Sequence, residues 1–210
     1  ELPKTVSLMA VIKTRTAEEV REAVDAGVRL LGGNYVQETA ALLEQLDRTV
    51  PCHLIGHLQT NKVKKAVGLF DMIETVDSEN LAREINRRTA ESGRGPLSVL
   101  IEINSGREPG KTGIFPEEAE ALAAAMSSLP NLRLAGLMTM GSFESDPEDS
   151  RRYFSETRRV FERLAPSFPG RDGGPKMTVL SMGMSHSYKV AIEEGATEIR
   201  IGTALFGPRK

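Results

Sequence analysis

The first buried segment of the chain and the turn that follows it read Ser7-Leu-Met-Ala-Val-Ile-Lys-Thr-Arg-Thr16. The apolar run at residues 7–12 predicts a strand, and Thr16-Ala-Glu-Glu19 is a capping box that predicts the start of a helix. A doubly wound open sheet usually has a glycine-rich turn after its first strand, but the turn at residues 13–16 contains no glycine. This turn therefore favours a closed barrel over an open sheet.

The alternation of strand and helix continues along the rest of the chain. Short apolar runs predict seven further strands, at residues 28–31, 53–55, 72–76, 97–103, 132–138, 177–180 and 198–201. Amphipathic stretches between them predict helices that begin near residues 36, 61, 78, 116, 147 and 188. Eight strands separated by helices within 210 residues predict an α/β fold, a single (β/α)8 barrel that forms one domain over residues 1–210.

Composition excludes several classes of protein. Twenty-seven Lys and Arg residues against 29 Asp and Glu residues give a net charge of −2, which is not the basic surface of a dedicated nucleic-acid binder. No apolar run approaches the roughly 20 residues of a membrane helix, and no secretory leader is evident. The one cysteine, Cys52, cannot form an internal disulfide. We expect a cytoplasmic protein without nucleic-acid or membrane partners and, since no heptad pattern is present, a monomer.

Lys13 follows the first predicted strand, at the end of a barrel where functional residues usually lie. A lysine drawn into apolar surroundings has a lowered pKa, and its neutral amine can attack a carbonyl group. The apolar run before Lys13 is compatible with that chemistry. The alternative is a lysine whose side chain simply extends from a strand end into solvent.

Two glycine- and hydroxyl-containing segments follow the last two predicted strands, Ser181-Met-Gly-Met-Ser185 and Arg200-Ile-Gly-Thr-Ala204. In such barrels the loops after strands seven and eight often bind phosphate through backbone N–H groups. Ser185, Gly202 and Thr203 would then be the donors. The alternative is a pair of tight turns with capping hydroxyls.

Arg200 lies within the last predicted strand, between Ile199 and Ile201. Because side chains alternate along a strand, either the arginine or the two isoleucines face the barrel interior. An inward arginine needs an acceptor, which a ligand could supply. An outward arginine would instead pair with a glutamate on a helix.

The remaining histidines and lysines carry weaker signals. His53 and His57 are four residues apart, but on a strand and its loop this spacing does not bring two imidazoles together, and we expect no metal. Lys62, Lys64 and Lys65 form a basic cluster that is either a solvated helix face or a site for an anionic partner.

Six segments together resemble a known family, the YggS-like or PROSC proteins of pyridoxal phosphate homeostasis. They occur in the family's order and span almost the whole chain. Its members fold as a barrel like the N-terminal domain of alanine racemase, in agreement with the eight predicted strands. The segments are Ala10-Val-Ile-Lys-Thr14, Gly33-Asn-Tyr-Val-Gln-Glu38, His53-Leu-Ile-Gly-His-Leu-Gln-Thr-Asn-Lys62, Gly136-Leu-Met-Thr139, Leu180-Ser-Met-Gly-Met-Ser185 and Arg200-Ile-Gly-Thr-Ala-Leu-Phe-Gly207.

The resemblance implies pyridoxal 5'-phosphate as cofactor and assigns roles to individual residues. Lys13 matches the lysine that forms the internal aldimine, and Arg200 matches the arginine beside the pyridine nitrogen. Ser185, Gly202 and Thr203 match the phosphate site. Three more residues match positions at the barrel mouth: Asn34 on the cofactor side, with His57 and Met138 nearby.

The chain departs from the family pattern at four positions and at its start. We expect it to lack the helical segment with which the family commonly begins. The four substitutions are expected to change the local support of the cofactor. Gly33 replaces a glutamate and Ile12 replaces a serine. Cys52 replaces a tryptophan and Ser187 replaces an aspartate.

An arginine beside the pyridine nitrogen bears on function. Its guanidinium stays protonated and donates to an unprotonated ring nitrogen, so the ring withdraws electrons weakly. A racemase also needs a second acid–base group, which a C-terminal domain supplies in alanine racemases. We expect no such domain here, and only Tyr35 among the tyrosines lies near the predicted mouth.

The resemblance therefore predicts a carrier of pyridoxal phosphate without strong catalysis of its own. Such a carrier holds the cofactor as a lysine aldimine, delivers it and serves intracellular homeostasis. Apo-enzymes would be its partners. One alternative is a weak amino-acid racemase or another aldimine-dependent enzyme. Another is a class I aldolase whose lysine acts on a phosphorylated sugar.

Overall fold

The computed structural model describes residues 2–47, 49–141, 146–168 and 177–208. Its eight strands are parallel, each pairs with the next along the chain, and the last pairs with the first to close a barrel. This confirms the predicted (β/α)8 barrel. The strands are β1 Ser7–Val11, β2 Leu31–Gly33, β3 Cys52–Leu54, β4 Met72–Val76, β5 Leu97–Glu102, β6 Leu132–Met138, β7 Val179–Met184 and β8 Glu198–Ile201.

Helices follow the strands and surround the barrel. They are α1 Ala17–Asp25, α2 Val36–Leu43, α3 Val63–Leu69, α4 Glu79–Ser92, α5 Ala119–Ser127, α6 Arg151–Leu164, α7 Tyr188–Glu193 and α8 Thr203–Phe206, with 3-10 turns at Thr60–Lys62, Pro116–Glu118, Pro147–Ser150 and Ala165–Ser167. None of the helices within the described ranges has the length and apolar character that a membrane span requires.

The two faces of the strands pack into different cores. Outward side chains, including Ile199 and Ile201, join the large apolar core between the sheet and the helices. Inward side chains such as Met9 form smaller clusters inside the barrel. Arg200 pairs with Met9 in the β1–β8 register, so it faces the interior. Of the two orientations that alternation along β8 allows, Arg200 therefore has the inward one.

The N-terminus of α1 has the predicted capping box, and its C-terminus corrects a predicted boundary. Thr16 Oγ1 accepts from the Glu19 N–H at 3.3 Å, and Glu19 Oε2 accepts from the Thr16 N–H at 2.8 Å. Past the helix, Gly27 has a φ of 111°, and the Val28 N–H donates to the Ala23 carbonyl oxygen at 3.0 Å. Since residue 28 still satisfies the helix end, the second strand begins later than the predicted residue 28, with β2 at Leu31–Gly33.

The seventh strand extends further than predicted. β7 runs through Ser181 to Met184, residues that the sequence assigned to the following loop. Its pairing with β8 shifts register between Ser181 and Met184, and Gly183 has a φ of 89°. This irregularity breaks the alternating pattern, which explains why the sequence ended the strand early.

Gly136 in β6 offers a test of how closely the barrel is packed. A Cβ built at Gly136 would overlap the backbone carbonyl of Val179 on β7, whereas a Cβ at Gly68, on the exposed face of α3, would meet no atom within 4 Å. We expect Gly136→Ala to lower the free energy of unfolding by about 3 kcal/mol or more. Gly68→Ala should raise it by up to about 1 kcal/mol, because alanine favours the helix.

Urea unfolding of the two variants and the wild type measures both effects. Equal stability of Gly136→Ala and the wild type would contradict the described packing between β6 and β7.

Candidate functional site

Lys13 lies just beyond the end of β1, at the carboxyl-terminal mouth of the barrel, and is half-buried. Its Nζ lies 3.5 Å from the Tyr35 hydroxyl and 5.1 Å from the centre of the Tyr35 ring. The next residue, Thr14, has a φ of 61°, which is unusual for a β-branched residue, and its N–H donates to Glu38 Oε1 at 2.6 Å. The backbone at Lys13 is therefore held by α2, while the amine remains at the mouth.

Arg200 enters the same barrel from β8 and is only 3% exposed. Its Nη1 donates to Ser181 Oγ at 2.7 Å, and its Nη2 donates to the Thr139 carbonyl oxygen at 2.8 Å. Ser181 in turn donates to Glu74 Oε2 at 2.7 Å. Arg200 is thus an inward, hydrogen-bonded arginine, and its place beside a pyridine nitrogen stays a prediction.

Two carboxyl groups and an imidazole lie close together inside the barrel, near the charge of Arg200. His53 Nδ1 lies 2.7 Å from Glu74 Oε1 and 3.9 Å from Glu198 Oε2. Burial raises the pKa of both Glu74 and Glu198 and lowers that of His53. Because burial disfavours the charged forms of Glu74, Glu198 and His53, we expect few of these three side chains to be ionised beside Arg200.

The predicted separation of the two histidines agrees with the geometry. Whereas His53 faces Glu74 inside the barrel, His57 lies at the exposed mouth with its Nδ1 3.8 Å from Asp77 Oδ2. The ligand atoms of His53, Glu74 and Glu198 do lie within 4.8 Å of one another. The absence of a metal remains a prediction.

The two segments predicted to bind phosphate meet at the mouth. Ser185 Oγ, just after β7, accepts from the N–H groups of Gly202 at 3.1 Å and Ala204 at 3.2 Å. Thr203, exposed between them, begins α8. The structure therefore brings together Ser185, Gly202 and Thr203, and the Ser185 hydroxyl proton is left able to donate.

Asn34 and His57 line a cleft of about 390 Å³ at the mouth, together with Tyr35 and Met140. The Oδ1 of Asn34 is buried and accepts no hydrogen bond from any residue within the described ranges. Met138 lies elsewhere: it is fully buried and packs inside the barrel with an apolar cluster. Met140, two residues later, takes the position at the cleft.

Glu102, the last residue of β5, lines the same cleft. Its Oε1 accepts from Thr112 Oγ1 at 2.8 Å, and the side chain is buried. Burial, with a smaller contribution from Asp77, raises the pKa of this carboxyl to about 7. A carboxyl group that titrates near neutral pH in a cleft is a candidate functional group.

The sequence reasoning did not select Glu74 or Glu102. A signal was present, since each is an acidic residue in the middle or at the end of an apolar strand. The sequence pattern alone does not give the strand register, and only the register shows that both side chains face the barrel interior.

The chain is similar in sequence and in structure to known proteins. Residues 1–210 match the family model of the alanine racemase N-terminal domain. A pyridoxal phosphate homeostasis protein of Aquifex aeolicus is 42% identical over 97% of this chain and 87% of its own length. The chain belongs to the pyridoxal phosphate homeostasis protein family. The family's protein from Escherichia coli K12 is 39% identical over 99% of this chain and 87% of its own.

A solved structure of the family agrees in fold. PipY of Synechococcus elongatus, whose structure was determined with pyridoxal phosphate bound, is 36% identical to this chain and superimposes with a TM-score of 0.87. The match covers 99% of this chain and 95% of PipY. The predicted family is confirmed.

The four departures from the usual sequence of the pyridoxal phosphate homeostasis proteins fit their surroundings here. At Gly33 any Cβ would overlap the side chain of Thr39 on α2. Ile12 and Cys52 are buried in the outer core, and the Cys52 N–H donates to an aspartate on the neighbouring loop. Ser187 is buried and accepts from the Met184 N–H at 3.3 Å.

Glu102 predicts a pH dependence of stability. The folded chain keeps the Glu102 proton up to a pKa of about 7, whereas the ordinary value is 4.5. The folded state therefore binds more protons between these values, and the wild type loses up to about 3 kcal/mol of unfolding free energy as pH rises through this window. Because Glu102→Gln removes that loss, its stability relative to the wild type should increase from pH 4.5 to about pH 8.

Urea unfolding of both proteins across this pH range tests the expectation. Glu91→Gln, an exposed change on α4, is the control. If the Glu102→Gln and wild-type curves stay parallel across the range, Glu102 does not titrate as described.

Proposed function

We propose that this protein binds pyridoxal 5'-phosphate at the barrel mouth, with Lys13 as the residue that holds it covalently, and keeps it for transfer to apo-enzymes. The observation that carries this proposal is the meeting of three groups at one end of the barrel. These are the Lys13 amine, the buried Arg200 guanidinium and the paired loops of Ser185 and Gly202. The cofactor bound to PipY supports the choice of ligand.

The chemistry of the residues fits each part of this cofactor. When bound, pyridoxal phosphate supplies an aldehyde that bonds to primary amines and a ring that withdraws electrons. Lys13 offers the primary amine. The Ser185 hydroxyl and the N–H and hydroxyl of Thr203 offer donors to a phosphate dianion. Asn34 Oδ1, buried and without a partner among the described residues, offers an acceptor to the same ligand.

Arg200 suits the pyridine nitrogen and limits the chemistry there. Two of its five N–H groups donate to Ser181 and Thr139, so the guanidinium is fixed in place while further donors remain. A guanidinium keeps its proton and can only donate to a ring nitrogen. The ring is then held without a positive charge of its own, which favours holding the cofactor over catalysis with it.

A second candidate function is a weak amino-acid racemase. One observation favours it, since Glu102 is a carboxyl group with a pKa of about 7 in the cleft beside Tyr35. Exchange of the Cα hydrogen of amino acids with solvent deuterium decides between the two functions. If exchange is no faster than with free pyridoxal phosphate, the protein is not a racemase.

Lys13→Ala tests covalent attachment. The purified wild-type protein, supplied with pyridoxal phosphate, should show a visible absorbance band that persists after gel filtration, and Lys13→Ala should lose it. Lys64→Ala, on the exposed face of α3, should keep the band. An undiminished band in Lys13→Ala would end the assignment of Lys13.

Ser185→Ala tests the phosphate site separately. Loss of one hydroxyl donor to a charged group should weaken pyridoxal phosphate binding about tenfold. Binding of pyridoxal, which lacks the phosphate, should stay unchanged. Ser128→Ala, which changes an exposed serine at the end of α5, is the control. An equal loss of affinity for both ligands would place the phosphate elsewhere.

A further inference from the structure

The cleft beside Tyr35 contains a carboxylate oxygen that the proposed function does not use. Glu102 is 3% exposed, and only its Oε1 is hydrogen-bonded, to Thr112. Its Oε2 is buried and has no hydrogen-bond donor among the described residues. A buried carboxylate oxygen without a donor is costly, so this atom suits a ligand that brings N–H groups.

Two cationic side chains near Glu102, those of Arg200 and Lys111, do not donate a hydrogen bond to this oxygen. Arg200 interacts with Glu102 only through its charge, because its Nη atoms donate to Ser181 and Thr139. Lys111, on the loop after β5, pairs with Glu108 at 2.5 Å.

The same cleft carries one unpaired positive charge. Lys62, at the end of the 3-10 turn before α3, lines the cleft and is half-buried. Within the part of the chain that the structure describes, no carboxylate forms an ion pair with it. The lining of the cleft also includes the apolar residues Ile55, Leu58 and Met140. The cleft thus combines an anionic group, a cationic group and an apolar wall.

We infer that this cleft binds a free α-amino acid, with the ammonium group on Glu102, the carboxylate on Lys62 and an apolar side chain against Ile55 and Leu58. Its volume of about 390 Å³ is in the range of small-molecule sites. Asn34, assigned above to the cofactor, and Tyr35, which contacts Lys13, both line this cleft, so the amino acid would lie against the proposed cofactor within it. The inference does not require the cofactor.

Titration of Glu102 gives the binding a defined pH dependence. Burial and Asp77 raise the pKa of Glu102 to about 7, and the positive charge of Arg200 opposes them. Only the ionised carboxyl attracts an ammonium group strongly, so affinity should increase as pH rises through about 7. His57 and Lys62 are the other ionisable groups facing the cleft with Glu102, besides Tyr35. Comparison of the pH profiles of Glu102→Gln and His57→Gln shows which of the two side chains carries the pH dependence.

Calorimetric titration of the cofactor-free full chain tests the inference. The probes are L-leucine, 3-methylbutylamine, which lacks the carboxylate, and 4-methylpentanoate, which lacks the ammonium group. L-leucine should bind at least about tenfold more tightly than either of the others, since each loses one charged contact. No measurable L-leucine binding, or equal binding of the amine alone, would overturn the inference.

Variants assign the two ends of the ligand. Glu102→Gln and Lys62→Met should each weaken L-leucine binding about tenfold, and Glu102→Gln should also flatten the pH profile. Glu91→Gln and Lys65→Met, both exposed and outside the cleft, should bind like the wild type. Circular dichroism checks that each variant is folded. Folded Glu102→Gln that binds L-leucine as the wild type does would contradict the site.

Lys13→Ala keeps this inference distinct from the proposed function. The variant should lose the cofactor and retain L-leucine binding. Wild-type protein that binds pyridoxal phosphate but not L-leucine overturns only the amino-acid site. Wild-type protein that binds L-leucine but not pyridoxal phosphate overturns only the proposed function.

Discussion

A guanidinium enclosed by a closed barrel must have its charge balanced inside that barrel. Arg200 is buried, and its Nη atoms donate to Ser181 and Thr139. The Ser181 hydroxyl in turn donates to Glu74. Burial raises the pKa of Glu74 and of Glu198 beside it, and the charge of Arg200 is one of the interactions that favour an ionised carboxyl there. Strands β4, β6, β7 and β8 are thereby tied together by polar contacts within the barrel.

This buried network separates a fixed interior from an accessible mouth. Arg200 and its partners lie in the interior and are almost completely buried. Lys13 is half-buried, and Tyr35, which its amine contacts, is 54% exposed. The group proposed to orient a ring is therefore rigid, while the amine proposed to hold it can be reached from solvent. The same division places Glu102 with the buried groups and Lys62 at the cleft margin.

The sequence predicted the architecture well because periodicity and capping are local properties. The apolar run before Lys13 and the box at Thr16 follow from neighbouring residues alone. The start of β2 and the end of β7 were misplaced, since a helix-terminating turn and a register shift depend on contacts that periodicity does not report. The interior network was missed for the same reason: Glu74 meets Ser181 across 107 positions of sequence.

Access to solvent bears on whether such a site turns over a substrate or transfers its ligand. Catalysis through a carbanion gains from a closed, water-excluding site and from a ring nitrogen that carries a positive charge. Here Met140 and Tyr35 are both exposed at the cleft, and Arg200 can only donate to a ring nitrogen. Both properties weaken carbanion chemistry, and neither weakens a covalent bond to an accessible amine. Lys13 is half-buried at this mouth, so the geometry fits the proposed holding and release of the ligand better than the racemase alternative.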